Sequence, residues 1–385
     1  MTLLLLAFGC FGLLTSTVFA AMVVRAAAHH LRSSPKLDAG FAPPLSLLKP
    51  LHGAEPGLEA NLATFFELDY PNYEILFCAR SPDDAGLAIA RRVAARFPHI
   101  PARFFSVGEL RYINAKAQSM EVMAAAAAHS ILVISDSDVR VTPGYLRAVA
   151  VPFADPQVGA MTCLYRGVAA EGGLWARLEA VGMSVEMTAG VLVANMIEGM
   201  QFVLGPTMAF RAEVIRQMGG FAVTADYCAD DFVLGNQAFQ RGWRVALGHL
   251  AIDHMVIHST LAASLQHQVR WMKSTRFSRP KGHFGTALTF SMPFAIVASC
   301  AALALSMPAL AVTLFAWGVF TRWMIAWAAG RRVVQDKSLF ALLVLYPIRD
   351  LMGFGFWAAS YSSDKILWRG RVFRLLPGGR MQPAD

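Results

Sequence analysis

Thr2 to Val24 contains no charged residue and is long enough to cross the hydrocarbon core of a bilayer as one helix. Arg25, His29, His30, Arg32 and Lys36 follow it. No basic segment precedes the run, so an uncleaved anchor is expected in preference to a signal peptide. The positive flank places the N-terminus outside and the next domain in the cytoplasm. A second charge-free run, Gly285 to Thr321, is too long for one helix and contains Pro308. Two helices joined by a tight hairpin are expected there. Arg322, Arg331, Arg332 and Lys337 then mark a return to the cytoplasmic face, with Trp323 and Trp327 in the interfacial belt. Leu339 to Ala359 is apolar but is interrupted by Pro347, Arg349 and Asp350. A full span, a re-entrant pair of short helices and an interfacial hairpin all fit it. The tail carries Lys365, Arg369, Arg371, Arg374 and Arg380, which favours a cytoplasmic C-terminus and hence a hairpin.

Between these ends the chain reads differently. Lys36 to Pro44 is a polar, proline-containing linker. Leu45 to Leu48, Tyr73 to Cys78, Ala102 to Val107 and Ser130 to Ser135 read as buried strands. Ala85 to Phe97, Lys116 to Ala128 and Gly144 to Phe153 read as the helices between and after them. This alternation predicts an α/β fold with a doubly wound, mostly parallel sheet. Ligands of such sheets bind at the carboxyl ends of the strands. Asp83, Asp84, Asn114, Lys116, Asp136 and Asp138 all lie just past predicted strand ends.

The second half is less regular. Trp175 to Ala194 suits one long helix, and Gly205 to Met208 an apolar turn. Asp230 and Asp231 begin a helix running to Arg241. Leu261 to Phe277 is an amphipathic helix directly before the membrane run, with Arg270, Lys273, Arg276 and Arg279 on or near one side. The expected divisions are an anchor over 1–25, a cytoplasmic domain over 37–258, an interface helix over 259–283, a membrane region over 285–360 and a basic tail over 361–385.

Composition narrows the class. Hydrophobic residues make up 56% of the chain and charged ones 16%, against the balance of an ordinary soluble protein. The net charge of +8 would suit nucleic acid. Its basic residues cluster beside the apolar segments, so anionic lipid headgroups are the expected contact and nucleic acid is not. The five cysteines are scattered without metal-ligand spacing, as in a reduced compartment.

Asp136-Ser137-Asp138 closes the buried run Ser130 to Ser135. Two carboxylates separated by one residue at a strand mouth are suited to a hard divalent cation, Mg2+ or Mn2+, whose ligands are oxygens. A solvated turn is the plain alternative. Asp83-Asp84 is either a helix cap or a carboxylate that bonds a nucleoside. Asp230-Asp231 either complements the helix dipole or supplies a general base for an acceptor hydroxyl. Arg270-Trp271 is either a membrane-interface anchor or a guanidinium that clamps a diphosphate beside an indole wall.

Together these stations resemble the membrane-bound glycosyltransferases of GT-A, family-2 type, and within them the ceramide glucosyltransferase family and its bacterial relatives. The resemblance rests on Leu48 to Gly53, Phe65 to Pro71, Asp83-Asp84, Asn114-Ala115-Lys116, Asp136-Ser137-Asp138, Asp230-Asp231 and His267-Gln268-Val269-Arg270-Trp271. It implies a UDP-sugar donor, a lipid acceptor and a divalent metal. Asp83 or Asp84 would contact the uridine, Asp136 and Asp138 the nucleotide sugar and the metal, with Asn114 and Lys116 in the same donor site. Asp231 would be the base, and Arg270 with Trp271 the signature before the membrane. The signature usually opens with Gln or Arg where this chain has His267, an imidazole that can still donate to a diphosphate. Met161 to Gly167 resembles a hopanoid-modifying branch, so the acceptor is either ceramide or a hopanoid polyol. The bacterial inner membrane is the implied location. A processive polysaccharide synthase would share these stations but need more helices for a channel. A non-enzymatic membrane binding protein would not need Asp136, Asp138 and Asp231 together.

Overall fold

The computed structural model describes residues 1–33, 40–170, 172–257, 260–368 and 370–384. Residues 36–39 of the linker, Lys36 among them, and Arg369 of the tail lie outside the described residues.

Leu45–Pro50 (β1), Tyr73–Ala79 (β2), Ala102–Ser106 (β3) and Ile131–Ser135 (β4) are the four expected strands. They are parallel: β1 lies between β2 and β4, and β3 flanks β2. Every residue of β2 and β4 is buried, as a parallel sheet covered on both faces requires. The chain winds outward from β1 to β3 and returns to β4 on the other side. A crevice therefore opens beyond the carboxyl ends of β1 and β4.

Four further strands complete the sheet: Val139–Arg140 (β5), Val158–Ala169 (β6), Thr207–Arg211 (β7) and Arg244–Val256 (β8). The order is β3-β2-β1-β4-β7-β6-β8-β5. β7 runs antiparallel to β4 and β6, while β6 and β8 pair in parallel with two register shifts. Periodicity predicts none of these. β6 is buried on both faces over most of its length and so does not alternate. β8 interleaves Gly248, His249, Asp253 and His254 with its apolar residues. The expected turn at Gly205 is the entry to β7.

The helical stretch expected over Trp175 to Ala194 runs from Leu174 to Glu198. It is α-helical over Leu174–Val181, π-helical over Gly182–Met187 and α-helical again over Thr188–Glu198. It is also apolar and long enough to cross a membrane, but most of its apolar stretch is buried inside the protein.

At the ends, helix Thr2–Arg32 packs against Met292–Ala304 and Pro308–Ile325. Gly12 lets the first two approach closely. A methyl group there would lie 2.1 Å from the Phe294 ring. Pro308 opens its helix at the first turn, where its missing N–H costs nothing. The last apolar helix runs from Ala341 to Ala359. Its Asp350 pairs with Arg322 at 2.7 Å and accepts the amides of Ser291 and Met292 at 2.9 and 2.8 Å. Its Arg349 lies 3.1 Å from Glu186 of the π-helical turn.

The expected basic tail contains a small antiparallel sheet, Lys365–Trp368 (β9), Arg371–Leu375 (β10) and Met381–Pro383 (β11). Ile366, Phe373, Leu375 and Met381 form its core, against Ile113, Cys228 and Phe277 of the main domain. The basic residues face outward around that core, which is why charge alone suggested a tail. Arg380 binds Asp226 at 2.7 Å and the Met381 amide donates to the Asp226 carbonyl.

Candidate active site

Near the end of β1 stands Lys49, a charged side chain inside an apolar strand and fully buried. Its ammonium donates to the Asp136 carbonyl at 2.5 Å and lies 3.4 Å from Ser135 Oγ, over the Phe65 ring. It fixes the turn that leaves β4. Burial pulls its pKa down to about 7, with Asp136 and Asp138 opposing the shift. Sequence reasoning assigned Lys49 no role. A lone lysine in a strand that otherwise reads as core was the available signal.

On that turn Asp136 and Asp138 are both partly exposed. Asp136 Oδ1 pairs with Lys116 Nζ at 2.7 Å, and the same ammonium lies 3.3 Å from Asp230 Oδ2. Burial alone would lower the Lys116 pKa, but Asp136 and then Asp230 hold it above the ordinary lysine value. Lys116 thus joins the end of β4 to the start of helix Asp230–Gln240. Asp138 Oδ2 lies 3.1 Å from His254 Nε2 on β8. Asp138 Oδ1 is buried and has no hydrogen-bond partner among the described residues. Ser137 between them donates to Glu55 at 2.6 Å, and burial raises the Glu55 pKa.

Asp231 enters the same cleft from the other side. Its Oδ2 accepts the Gly205 amide at 2.9 Å and its Oδ1 the Phe232 amide at 2.7 Å. A methyl group on Gly205 would lie 3.3 Å from Asp231 Oδ2 and 3.6 Å from Asp136 Oδ2. Glycine therefore keeps open the gap between two carboxylates that are distant in sequence. Burial, and next the charge of Asp230, push the Asp231 pKa up to about 6. That is the direction a general base working near neutrality needs. Tyr165 of β6 is buried nearby. Burial raises its pKa, and Asp231, Asp138 and Asp136 add to the shift in that order. Tyr165 lies within the Met161 to Gly167 stretch, but that stretch assigns it no role, and nothing local marks His254. Each arrives on a strand that periodicity does not reveal.

Other predicted residues stand one step back. Asp84 caps helix Ala85–Ala95 through the Gly86 amide at 2.8 Å and also accepts the Gly53 amide. Asp83 beside it is exposed. Asn114 is fully buried, caps helix Ala115–Ala126 through the Lys116 amide, and donates to the Tyr227 carbonyl at 3.0 Å. It therefore holds Lys116 and the approach to Asp230 in register. Arg270 Nη1 lies 3.2 Å from Cys228 Sγ, whose surroundings also include Asp230 and Asp231. The rings of His267 and Trp271 lie against each other with centroids 4.5 Å apart and their planes tilted by 54°. His267 Nδ1 lies 2.8 Å from Glu179 Oε1.

The turn's fitness for a divalent cation can be tested on these atoms. Asp138 has a buried carboxylate oxygen without a hydrogen-bond partner, and Asp136 is partly exposed beside it. Among the described residues no three His, Cys, Asp or Glu side chains converge into a complete cage. Two carboxylates with the remaining positions open match the habit of Mg2+, which keeps waters and substrate phosphates among its ligands.

The family described as Glycosyl transferase family 21 matches residues 12–381. Ceramide glucosyltransferase 3 of Caenorhabditis elegans is 22% identical over 365 residues, 92% of this chain and 77% of that protein. Ceramide glucosyltransferase 1 of the same organism is 25% identical over 247 residues, 64% of this chain and 51% of that protein. Among solved structures, a mannosyltransferase of Pyrobaculum calidifontis in complex with GDP-Man and Mn2+ superposes with a TM-score of 0.54 at 18% identity. The match covers 92% of this chain and 97% of that one. That likeness establishes a common fold, the GT-A arrangement.

Proposed function

The chain belongs to glycosyl transferase family 21, and on that premise we propose that it moves a hexose from a UDP-sugar such as UDP-glucose to the hydroxyl of a membrane lipid. Ceramide is the first candidate acceptor, since the relatives reported above are named ceramide glucosyltransferases. The observation that carries the reading is the meeting of Asp136, Asp138 and Asp231 in one cleft, with Gly205 holding the gap open. Asp136 and Asp138 would hold a divalent cation. Bound there, such a cation supplies charge neutralisation for a leaving diphosphate.

The chain's own residues divide the rest of the work. Lys49 and Lys116 keep the β4 turn in place and offset part of its negative charge. Asp83, exposed at the end of β2, is the carboxylate available to a nucleoside, while Asp84 and Asn114 position the loops around it. Asp231 takes the proton of the acceptor hydroxyl. Its raised pKa makes it basic enough to do so, and the Gly205 and Phe232 amides aim it. Arg270 offers its guanidinium to the diphosphate and Trp271 an apolar wall to the acceptor.

The architecture suits a lipid acceptor at headgroup level. Both ends of the last apolar stretch bond to the catalytic region. Arg166 donates to the Val334 and Gln335 carbonyls before it, and Lys273 to the Lys365 carbonyl after it. A single crossing would separate its ends by the bilayer thickness. We place this helix along the membrane surface, with the catalytic domain on the cytoplasmic side of a bacterial inner membrane.

The test is transfer by the purified protein in lipid bilayers, with UDP-glucose, Mn2+ or Mg2+, and ceramide or a hopanoid polyol. The expected result is UDP release matched by a hexosylated lipid, lost when the metal is chelated. UDP release without lipid product, or full activity in chelator, would overturn the reading.

A further inference from the structure

We propose that Glu179 is a positioning residue of this active site, a buried carboxylate that sets the helix carrying Arg270 and Trp271 by holding His267 and Ser264. The proposal rests on the glycosyl-transfer reading above. Glu179 is 1% exposed. Ser264 Oγ donates to its Oε2 at 2.6 Å, and His267 Nδ1 lies 2.8 Å from its Oε1. If Glu179 is ionised, its carboxylate only accepts, and Nδ1 then carries the proton. Ser264, His267 and Trp271 fall on one face of helix Leu261–Ser278, at successive three- and four-residue steps. The ring that Glu179 orients is the ring against which Trp271 rests. Arg270, one residue earlier, turns to the other flank and Cys228.

The helix bearing Glu179 has a second anchor. Glu186 lies seven residues further on and pairs with Arg349 of the last apolar helix. On an unbroken α-helix, residues seven apart project within about 20° of one another. The π-helical turn over Gly182–Met187 follows Glu179 and contains Glu186, and it changes that phase. One carboxylate consequently reaches the signature helix and the other the membrane-side helix. The stretch from Leu174 to Glu198 is a brace between the two, and Glu179 is its contact with the reaction.

What Glu179 requires of position 267 is an N–H donor, whatever its charge. His267→Gln should therefore keep most of the turnover, and His267→Leu should not. The decisive set is the full-length protein in lipid bilayers, with Glu179→Gln, Glu179→Ala, His267→Leu and the double variant Glu179→Ala/His267→Leu. We expect Glu179→Ala and His267→Leu each to lose about 100-fold in kcat, the scale of a misplacement of about 1 Å, with donor KM changed less than about threefold. The double variant should be no worse than the worse single, because both remove one contact. Losses that multiply in the double, or a kcat that survives Glu179→Ala, would overturn the proposal.

Glu179→Gln is the isosteric variant if alanine does not fold. For it, hydrogen exchange over residues 261–278 should quicken at least about tenfold relative to the rest of the catalytic domain. Unchanged exchange would also overturn the proposal. That readout needs no turnover. A wild type that fails to transfer sugar while the exchange result holds would therefore count against the glycosyl-transfer reading alone.

Discussion

Among the described residues, two groups of buried or half-buried charged side chains stand out, one in the cleft and one between the membrane-side helices. They use the same residue types to opposite ends. In the cleft, Glu55, Asp136, Asp138, Asp230 and Asp231 face Lys49 and Lys116. Below it, Glu186 and Asp350 face Arg349 and Arg322. The lower group is balanced in charge, and Asp350 spends its second oxygen on two backbone amides. The cleft has a surplus of carboxylate. That surplus helps raise Asp231. Burial of charge by itself therefore does not mark a site. Uncompensated charge, aimed at a shared gap, does.

The sharpest way to break this comparison is to remove the surplus where it would meet a cation. Asp138→Ala should reduce transfer to background and weaken donor binding, since the cation's contribution is worth several kcal/mol. Measured turnover near that of the wild type, still requiring a divalent ion, would remove Asp138 from the cation site. Asp231→Asn should come next. It should lose roughly 10²–10⁴ in kcat, the usual share of general-base catalysis, while donor affinity stays the same. A matching loss in donor affinity by calorimetry would give Asp231 a structural or metal-binding task instead.

The balanced group should answer in stability alone. Asp350→Ala leaves Arg322 buried and unpaired and should cost about 3–5 kcal/mol. Replacing the pair together, Arg322→Met with Asp350→Leu, should cost much less. Thermal unfolding in detergent checks both. If the double replacement is as damaging as the single, the cluster does more than balance itself.

The smallest effect is one of pH. The rate should fall toward acid through about 6 as Asp231 is protonated. Stability should move the other way. A carboxyl raised from 3.8 to about 6 in the folded protein favours folding most below its unfolded value, and that contribution is lost as pH rises through about 6. Asp231→Asn should flatten that stability change. Melting temperatures of the two metal-free proteins between pH 4 and 7 test it. An equal pH dependence in both would assign the limb to another group.

Much of the cleft was legible because its parts announce themselves locally. β1 to β4 alternate with helices, and Asp136-Ser137-Asp138 ends an apolar run. The start of a helix at Asp230 was legible for the same reason. Asp84 and Asn114 were harder. A residue that caps a helix and one that binds a ligand at a strand end look alike in sequence, and here both side chains are occupied by backbone amides. The strands β6 to β8 stayed hidden because they pair non-locally and are buried on both faces or interrupted by polar residues. With them stayed Tyr165 and His254.

The sequence by itself determined the apolar ends, the parallel first half of the sheet and the presence of acidic stations in a fixed order. These follow from hydropathy and period, which act over a few residues at a time. Only the tertiary structure decided which carboxylates share a gap, and that Lys116 links Asp136 to Asp230. Only it gave His267 a buried partner in Glu179 and folded the basic tail into a sheet against Cys228 and Phe277. Each of those is a contact between residues far apart in the chain. Its energy comes from burial and from pairing opposite charges and hydrogen-bonding groups, which meet only once the distant segments have come together.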